Sequence, residues 1–135
     1  MKVAYKIVGG SGYTTLFDNS AGDANDKFAP SFADDVFKTP GYGAPSQAKV
    51  ALSNTDGQLP LKWSSNFTSQ DAAATAIYTF RSTFKGVPVH LKVTIGTTDL
   101  YFPNAVLKSS SFDQSGKELW YITTWETDDV TTTAP

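Results

Sequence analysis

Apolar positions change from a helical to a strand period between residues 67 and 95. The first part carries apolar side chains on one narrow helical stripe: Ala73, Ala76, Ile77, Phe80 and Phe84. The Thr68 hydroxyl can cap the start of this helix, and Gly86 can close it in a left-handed conformation. Pro88 then prevents the helix from continuing. The sequence therefore predicts one helix over about residues 69–85, with one buried face.

Strict alternation of apolar and polar residues predicts the strands. Residues 89–95 alternate directly behind the helix, and residues 3–7 alternate at the start of the chain. Glycines then recur in residues 9–12. Because no helix start or lysine follows these glycines, a hairpin into a second strand at residues 13–17 is favoured over a phosphate-binding loop.

Further strand signals lie on both sides of the helix. Before it, Asp56-Gly57 between two apolar runs predicts a hairpin, and Pro60 places the second arm near a sheet edge. After it, three consecutive antiparallel strands are expected, with Pro103-Asn104 interrupting the middle one. The predicted fold class is therefore mostly β, an antiparallel β-sandwich or barrel of about seven to eight strands with one flanking helix. A single domain over residues 1–135 is expected.

Residues 18–47 break the strand pattern. They hold five aspartates, two asparagines, three glycines and three prolines, which predicts a long loop with a hint of a first helical turn at residues 30–37. Four aromatic rings in a freely solvated loop would be unfavourable, so we expect the loop to dock on its own domain or on a neighbouring copy. The candidate subunit-interface residues are Phe28, Phe32, Phe37 and Tyr42.

The same loop raises the question of a cation site, because Asp23, Asn25 and Asp26 are close in sequence. A helix-loop-helix calcium site requires a glycine at its sixth position and a glutamate at its twelfth. Phe28 and Asp34 occupy those positions here. A solvated acidic loop is therefore favoured over a calcium site.

Composition excludes several classes of function. The net charge is −2 and no basic cluster occurs, so direct nucleic-acid binding is not predicted. The chain has no cysteine, which removes disulfides and thiolate chemistry. The alternating start predicts a strand rather than a signal peptide, and no apolar run approaches the ~20 residues of a membrane helix. Synthesis in the cytoplasm and a flexible polar tail at residues 128–135 are the expectations.

No arrangement of residues predicts catalysis, a metal or a cofactor. His90 is the only histidine and lies on the polar face of a strand. Glu118 and Glu126 are the only glutamates, and on one strand they would be about 26 Å apart, too far for paired acid and base work. The Gly-x-Ser-x-Gly pattern of a nucleophile elbow is missing. We predict that the protein is not an enzyme.

The tryptophans suggest one alternative site. Trp120 and Trp125 have opposite parity on one strand, so one is expected to face inward and the other outward. Trp63 is expected near an exposed edge. Exposed tryptophans can form a platform for sugar rings, although aromatic residues that fill a small β core are the more common case.

The layout resembles that of bacteriophage tail-tube and distal-tail proteins. The resemblance depends on one flanking helix, a long early loop, and the closing strands 89–95, 100–107 and 118–126. Its most suggestive local piece is the strand Phe102-Pro103-Asn104-Ala105-Val106-Leu107 after a Gly-Thr-Thr-Asp turn. The resemblance implies stacked rings, in which the sheets of adjacent subunits join around a lumen and a long loop reaches a neighbouring ring.

Two functions follow as hypotheses. The first is a self-assembling virion structural protein, a tail-tube or tail-tip component that forms homo-oligomeric rings, contacts other virion proteins and assembles in the host cytoplasm. Residues 18–47 would then be the reaching loop. The alternative is a carbohydrate- or receptor-binding β module that uses Trp63, Trp120 or Trp125.

Overall fold

Eight strands and one helix make up the part of the chain that the structure describes. A computed structural model describes the backbone of residues 1–39 and 48–135 and the side chains of residues 1–34 and 56–135. The elements are β1 (Lys2–Ile7), β2 (Thr14–Asp18), β3 (Ala24–Asn25), β4 (Ser31–Thr39), β5 (Ala48–Asn66), α1 (Gln70–Phe84), β6 (Val89–Ile95), β7 (Thr98–Ser115) and β8 (Glu118–Thr127). A short 3-10 turn, Asn19–Ala21, lies between β2 and β3.

All strands are antiparallel and join in one curled sheet. The order is β2-β1-β6-β7-β8-β5-β3, and β4 pairs with β5 next to β3. The predicted mostly β class with one flanking helix is confirmed, and the sheet has the form of a half-barrel.

Strand β7 joins the two halves of the sheet. Its first half pairs with β6 and its second half with β8. Between the halves, Pro103 has no N–H to donate and Asn104 has a left-handed φ of 52°. The register with β6 shifts at this point, and such a bulge bends a strand. The interruption predicted at Pro103-Asn104 is therefore the place where the sheet changes pairing partner.

Helix α1 packs on the inner face of the curled sheet. Its cap is Ser69, one residue later than the predicted Thr68, and the Ser69 hydroxyl accepts the N–H of Ala72 at 3.1 Å. Gly86 has the predicted left-handed φ, 71°. The rings of Phe80 and Phe84 are 4.8 Å apart and enter the core, as the helical stripe predicts.

Trp63 lies at the centre of the core. Its ring stacks between those of Phe17 at 4.9 Å and Tyr121 at 4.7 Å, and its side chain is 1% exposed. The expectation that Trp63 lies near an exposed edge is wrong. The reason is that β5 pairs with β8 over ten residues, so that alternate residues of β5 face the helix.

The predicted hairpin at Asp56-Gly57 is also wrong, because β5 runs unbroken for 19 residues. An Asp-Gly turn forms when its two flanking arms pair with each other. Here the first part of β5 pairs with β4, and the part from Gly57 onward also pairs with β8. Pairing with other strands therefore overrides the local turn signal.

Residues 18–47 are more ordered than the loop prediction allows. Residues 31–39 form strand β4, not a helical turn, and residues 24–25 pair with β5. Long-range pairing with β5 again explains the difference. Residues 40–47 lie outside the described part of the chain.

The C-terminal segment is tied to β7 instead of hanging free. Thr131 and Tyr101 exchange two backbone hydrogen bonds, of 2.8 and 2.9 Å, and Val130 packs against the core. The predicted flexible tail is thus held in place at least as far as residue 131.

Candidate assembly surfaces

The sheet ends in two margins, β2 on one side and β4 with β3 on the other. Within the described residues, no strand pairs with the outer edge of β2 or of β4. Unpaired N–H and C=O groups along a strand form a ready template for another chain. These two edges are the first candidate assembly surfaces.

A two-stranded arm extends from the β4 margin. Gly57 is the first residue of β5 that pairs with β8, so residues 48–56 pair only with β4 among the described strands. We call residues 33–39 and 48–56 the arm. At about 3.3 Å per residue, the β4 strand of the arm spans about 23 Å. A ribbon of two strands without a third is marginally stable by itself in water, so a neighbouring surface would stabilise it.

A groove lies at the base of the arm. We call it the arm-base groove; its volume is about 500 Å³. Two apolar side chains in it are unusually accessible, Phe32 at 37% and Val106 at 41%. Acidic side chains stand around them, and one, Glu126, pairs with Lys108 at 3.4 Å. The residues that line the groove include Phe32, Gly57, Asn104, Val106, Glu126 and Asp128.

Two of the predicted interface rings meet at Phe102, whose side chain is 1% exposed. Phe28 contacts the Phe102 ring edge-on at 6.0 Å and packs against the core. Phe32 lies parallel to the same ring at 6.4 Å and keeps an exposed face in the arm-base groove. Part of the aromatic surface is therefore buried within its own subunit.

The other two predicted interface residues are Phe37, which lies in the arm, and Tyr42. Phe37 stands opposite Val50 in the β4–β5 ladder, and its side chain is outside the described residues. Tyr42 lies outside them altogether. Both remain predictions.

Sequence reasoning missed Gly57 and Val106. Gly57 stands opposite Phe32, and a Cβ there would lie 3.1 Å from the Phe32 ring and 2.5 Å from the Thr127 hydroxyl. Only a glycine allows that approach. The available signal for Val106 was the run Ala105-Val106-Leu107, three apolar residues in a strand where one must face outward.

The acidic residues near β3 are occupied by local hydrogen bonds. Asp23 accepts the Asp18 N–H at 3.1 Å and the Ser65 hydroxyl at 3.2 Å, and Asp26 accepts the Lys27 N–H at 2.8 Å. Donation by the Ser20 hydroxyl and N–H lowers the pKa of the Asp18 carboxyl. Among the described residues, no group of three or more acidic, histidine or cysteine side chains could hold a metal.

The tryptophans do not form a common platform. The predicted opposite parity is correct, because Trp125 is fully buried and Trp120 lies on the outer face of β8. Trp63 is buried as well, so the alternative ligand site is wrong for two of its three residues. Lys62 lies over the Trp120 ring at 5.6 Å, and the Trp120 indole N–H donates to Glu118 at 2.8 Å.

His90 lies on the outer face of β6, as predicted. Its Nδ1 accepts the backbone N–H of Asn104 at 3.2 Å. Partial burial, and then the nearby charge of Lys6, lower the pKa of His90, whereas Asp128 acts in the opposite direction. The imidazole therefore makes a structural hydrogen bond at the bulge of β7.

Comparison with known proteins identifies the fold. No protein-family model and no curated protein matches the chain. A chain in the tail of an empty gene transfer agent particle, refined helically with C6 symmetry, superimposes with a TM-score of 0.57 at 14% identity, over 98% of this chain and 95% of that one. A chain of a native gene transfer agent virion gives 0.54 at 12% identity, with coverage of 98% and 95%.

A third similar structure comes from the six-fold symmetrised baseplate of an anti-feeding prophage. It gives a TM-score of 0.55 at 11% identity, over 96% of this chain and 89% of that chain. The chain thus has, over nearly its whole length, a fold found in phage-tail-like particles. The one described helix is not long and apolar enough to cross a membrane.

Proposed function

We propose that this protein is a self-assembling structural subunit of a phage-tail-like particle, a tail-tube or tail-tip component. One observation carries the proposal: a sheet with two open margins occurs in a fold shared, end to end, with chains of tail and baseplate particles. Other virion proteins would be its further partners, and the assembled virion its location.

Copies of the subunit join through different edges. The β2 margin of one copy meets the β4 margin of the next, so the interface is head-to-tail and not two-fold symmetric. Such a contact closes into a ring when the rotation between copies divides a full turn, and otherwise continues as a filament. Backbone hydrogen bonds then extend each sheet into that of its neighbour.

The arm supplies the second contact. It leaves the sheet as a two-stranded ribbon and carries Phe37; Tyr42, the fourth predicted ring, lies outside the described residues. Burial of these rings and of the exposed face of Phe32 against another copy removes apolar surface from water, worth about 25 cal/mol per Å². Phe28 supports this surface from within its own subunit through Phe102.

Electron microscopy and light scattering of the purified protein test the proposal. We expect rings or tubes for the natural chain. Replacing both Thr14 and Thr15 with lysine puts charges on both faces of the β2 margin, which discourages edge pairing, and should abolish assembly. The matched control is Thr75→Lys with Ser82→Lys on the exposed side of α1. A natural chain that stays monomeric at high concentration would refute the proposal.

A further inference from the structure

A chain of hydrogen bonds links His90 to the C-terminal segment through Asn104. The backbone N–H of Asn104 donates to Nδ1 of His90 at 3.2 Å, and its side-chain amide donates to Asp128 Oδ2 at 2.6 Å. The Asp128 N–H in turn donates to the Pro103 carbonyl at 2.9 Å. Asn104 makes these contacts at a positive φ of 52°, a left-handed conformation that asparagine adopts more readily than most other residues with a side chain.

The segment held by this chain covers an edge of β7. The first half of β7 pairs with β6 on one side. On its other side, within the described residues, the Tyr101–Thr131 bridge supplies the partner. Asn104 and Asp128 also form one wall of the arm-base groove. The position of the segment therefore decides both whether this edge is covered and what shape the groove has.

We propose that His90 is a proton-controlled latch, and that its protonation releases residues 128–135 from β7 and reshapes the arm-base groove. A neutral imidazole accepts a hydrogen bond at Nδ1 only when its proton is on Nε2, whereas an imidazolium carries protons on both nitrogens. Protonation therefore sets an N–H of His90 against the N–H of Asn104. Asn104 then loses one of the two hydrogen bonds that fix its position, and its hold on Asp128 weakens.

The charges around His90 come from each element packed against it. Lys6 of β1 lies opposite His90 in the ladder, and Lys92 lies two residues along β6 on the same face. β7 contributes the neutral Asn104, and further along it Tyr101 stands opposite Lys92 and Asp99 pairs with Lys92 at 3.9 Å. The C-terminal segment contributes Asp128, and the Pro135 carbonyl accepts a hydrogen bond from Lys6 at 2.8 Å.

These surroundings set the direction of the pH effect. Partial burial and Lys6 lower the pKa of His90 below its ordinary value of 6.5, against the pull of Asp128. The neutral, latched form therefore predominates at every pH above 6.5. The latch opens as the pH falls through the lowered pKa.

Hydrogen exchange of the Tyr101 and Thr131 amides, corrected for the intrinsic effect of pH, measures the release in the single subunit. Loss of one hydrogen bond predicts about five-fold less protection once the pH lies well below the lowered pKa of His90 than at about pH 7.5. His90→Gln keeps an oxygen that can accept the Asn104 N–H but does not titrate, so it should remove the pH dependence. Equal protection at both pH values in the natural chain, or the same acid loss in His90→Gln, would overturn the latch.

A disulfide supplies the control. Tyr101 and Thr131 exchange two backbone bonds, and the Cα atoms of such a pair lie about 5.5 Å apart, a distance that suits a disulfide. The chain has no cysteine of its own. Tyr101→Cys with Thr131→Cys should keep protection at the Asp128 amide in acid when oxidised and lose it when reduced. If the oxidised form also loses protection of the Asp128 amide in acid, the segment is not the part that moves, and the latch is overturned.

Release of the segment and the change in the groove are properties of one subunit, whereas an effect of that change on assembly rests on the proposed function. Assembly that is unaffected by pH, together with acid-dependent exchange, would leave the latch standing and remove only its role in assembly. A chain that never assembles would refute the proposed function without touching the exchange result.

Discussion

Trp125 donates its indole N–H to the hydroxyl of Thr123, two residues earlier on the same buried face of β8, at 3.0 Å. The Thr123 hydroxyl in turn donates a hydrogen bond to the Leu61 carbonyl of β5 at 2.8 Å. Both side chains are almost completely buried, so each polar atom in this relay depends on the others for its partner.

Thr123→Val should therefore destabilise the fold, although valine and threonine have nearly the same shape. The substitution leaves the Trp125 N–H without an acceptor inside the core, and we expect the free energy of unfolding to fall by about 2 kcal/mol. Urea denaturation measures this. Thr124→Val, on the outer face of the same strand, is the matched control and should change stability by less than about 0.5 kcal/mol. Equal effects at the two positions would contradict the relay.

Replacing a core tryptophan should lower the free energy of unfolding much more than replacing a surface tryptophan. Trp63→Ala removes a ring stacked between Phe17 and Tyr121 and should cost about 3–5 kcal/mol of the free energy of unfolding. Trp120→Ala removes a ring on the outer face and should cost about 1 kcal/mol or less. Chemical denaturation of both variants checks the pair, and a similar loss at Trp120 would place that ring in the core.

The two phenylalanines at Phe102 are expected to separate stability from assembly. Phe28→Ser removes a ring packed against the core and should lower the free energy of unfolding. Phe32→Ser with Phe37→Ser should leave the fold intact, by circular dichroism, and abolish assembly, by light scattering. Unfolding of the second variant would instead assign those rings to the core.

Gly57→Ala tests the close approach at the floor of the arm-base groove. The new Cβ would press on the Thr127 hydroxyl and the Phe32 ring, and overpacking of this kind costs about 1–3 kcal/mol. Adding Phe32→Ala relieves the contact with the ring. The double variant should therefore lose less stability than the sum of the two single losses. Strict additivity would show that Phe32 does not constrain residue 57.

Local rules predicted the elements whose signals are contained in a short stretch of chain. The stripe from Ala73 to Phe84 and the left-handed Gly86 appear as expected, because caps and helical periods act within a few residues. The interruption predicted at Pro103-Asn104 appears as a bulge inside the continuous strand β7. The parity of Trp120 and Trp125 follows from the same local geometry. The observed helix cap, Ser69, lies only one residue after the predicted cap, Thr68.

Local sequence patterns predicted less of the candidate assembly surfaces. Phe32 lies in the arm-base groove beside residues as distant in sequence as Val106 and Asp128, which no local pattern connects. The tryptophan platform failed for a related reason: the exposure of Trp63 depends on whether β5 is an edge or an inner strand, and that is a property of the whole sheet.

The sequence alone determined the β class, the helix and its buried face, and the alternation of β6 and β8, since these depend on the spacing of side chains along the backbone. Only the tertiary structure decided that residues 31–39 pair as a strand, that β5 passes straight through Asp56-Gly57, and that residues 128–131 close an edge of β7. In each case a hydrogen-bonding partner far away in the chain outweighs the local preference, because backbone N–H and C=O groups stabilise whichever pairing satisfies them.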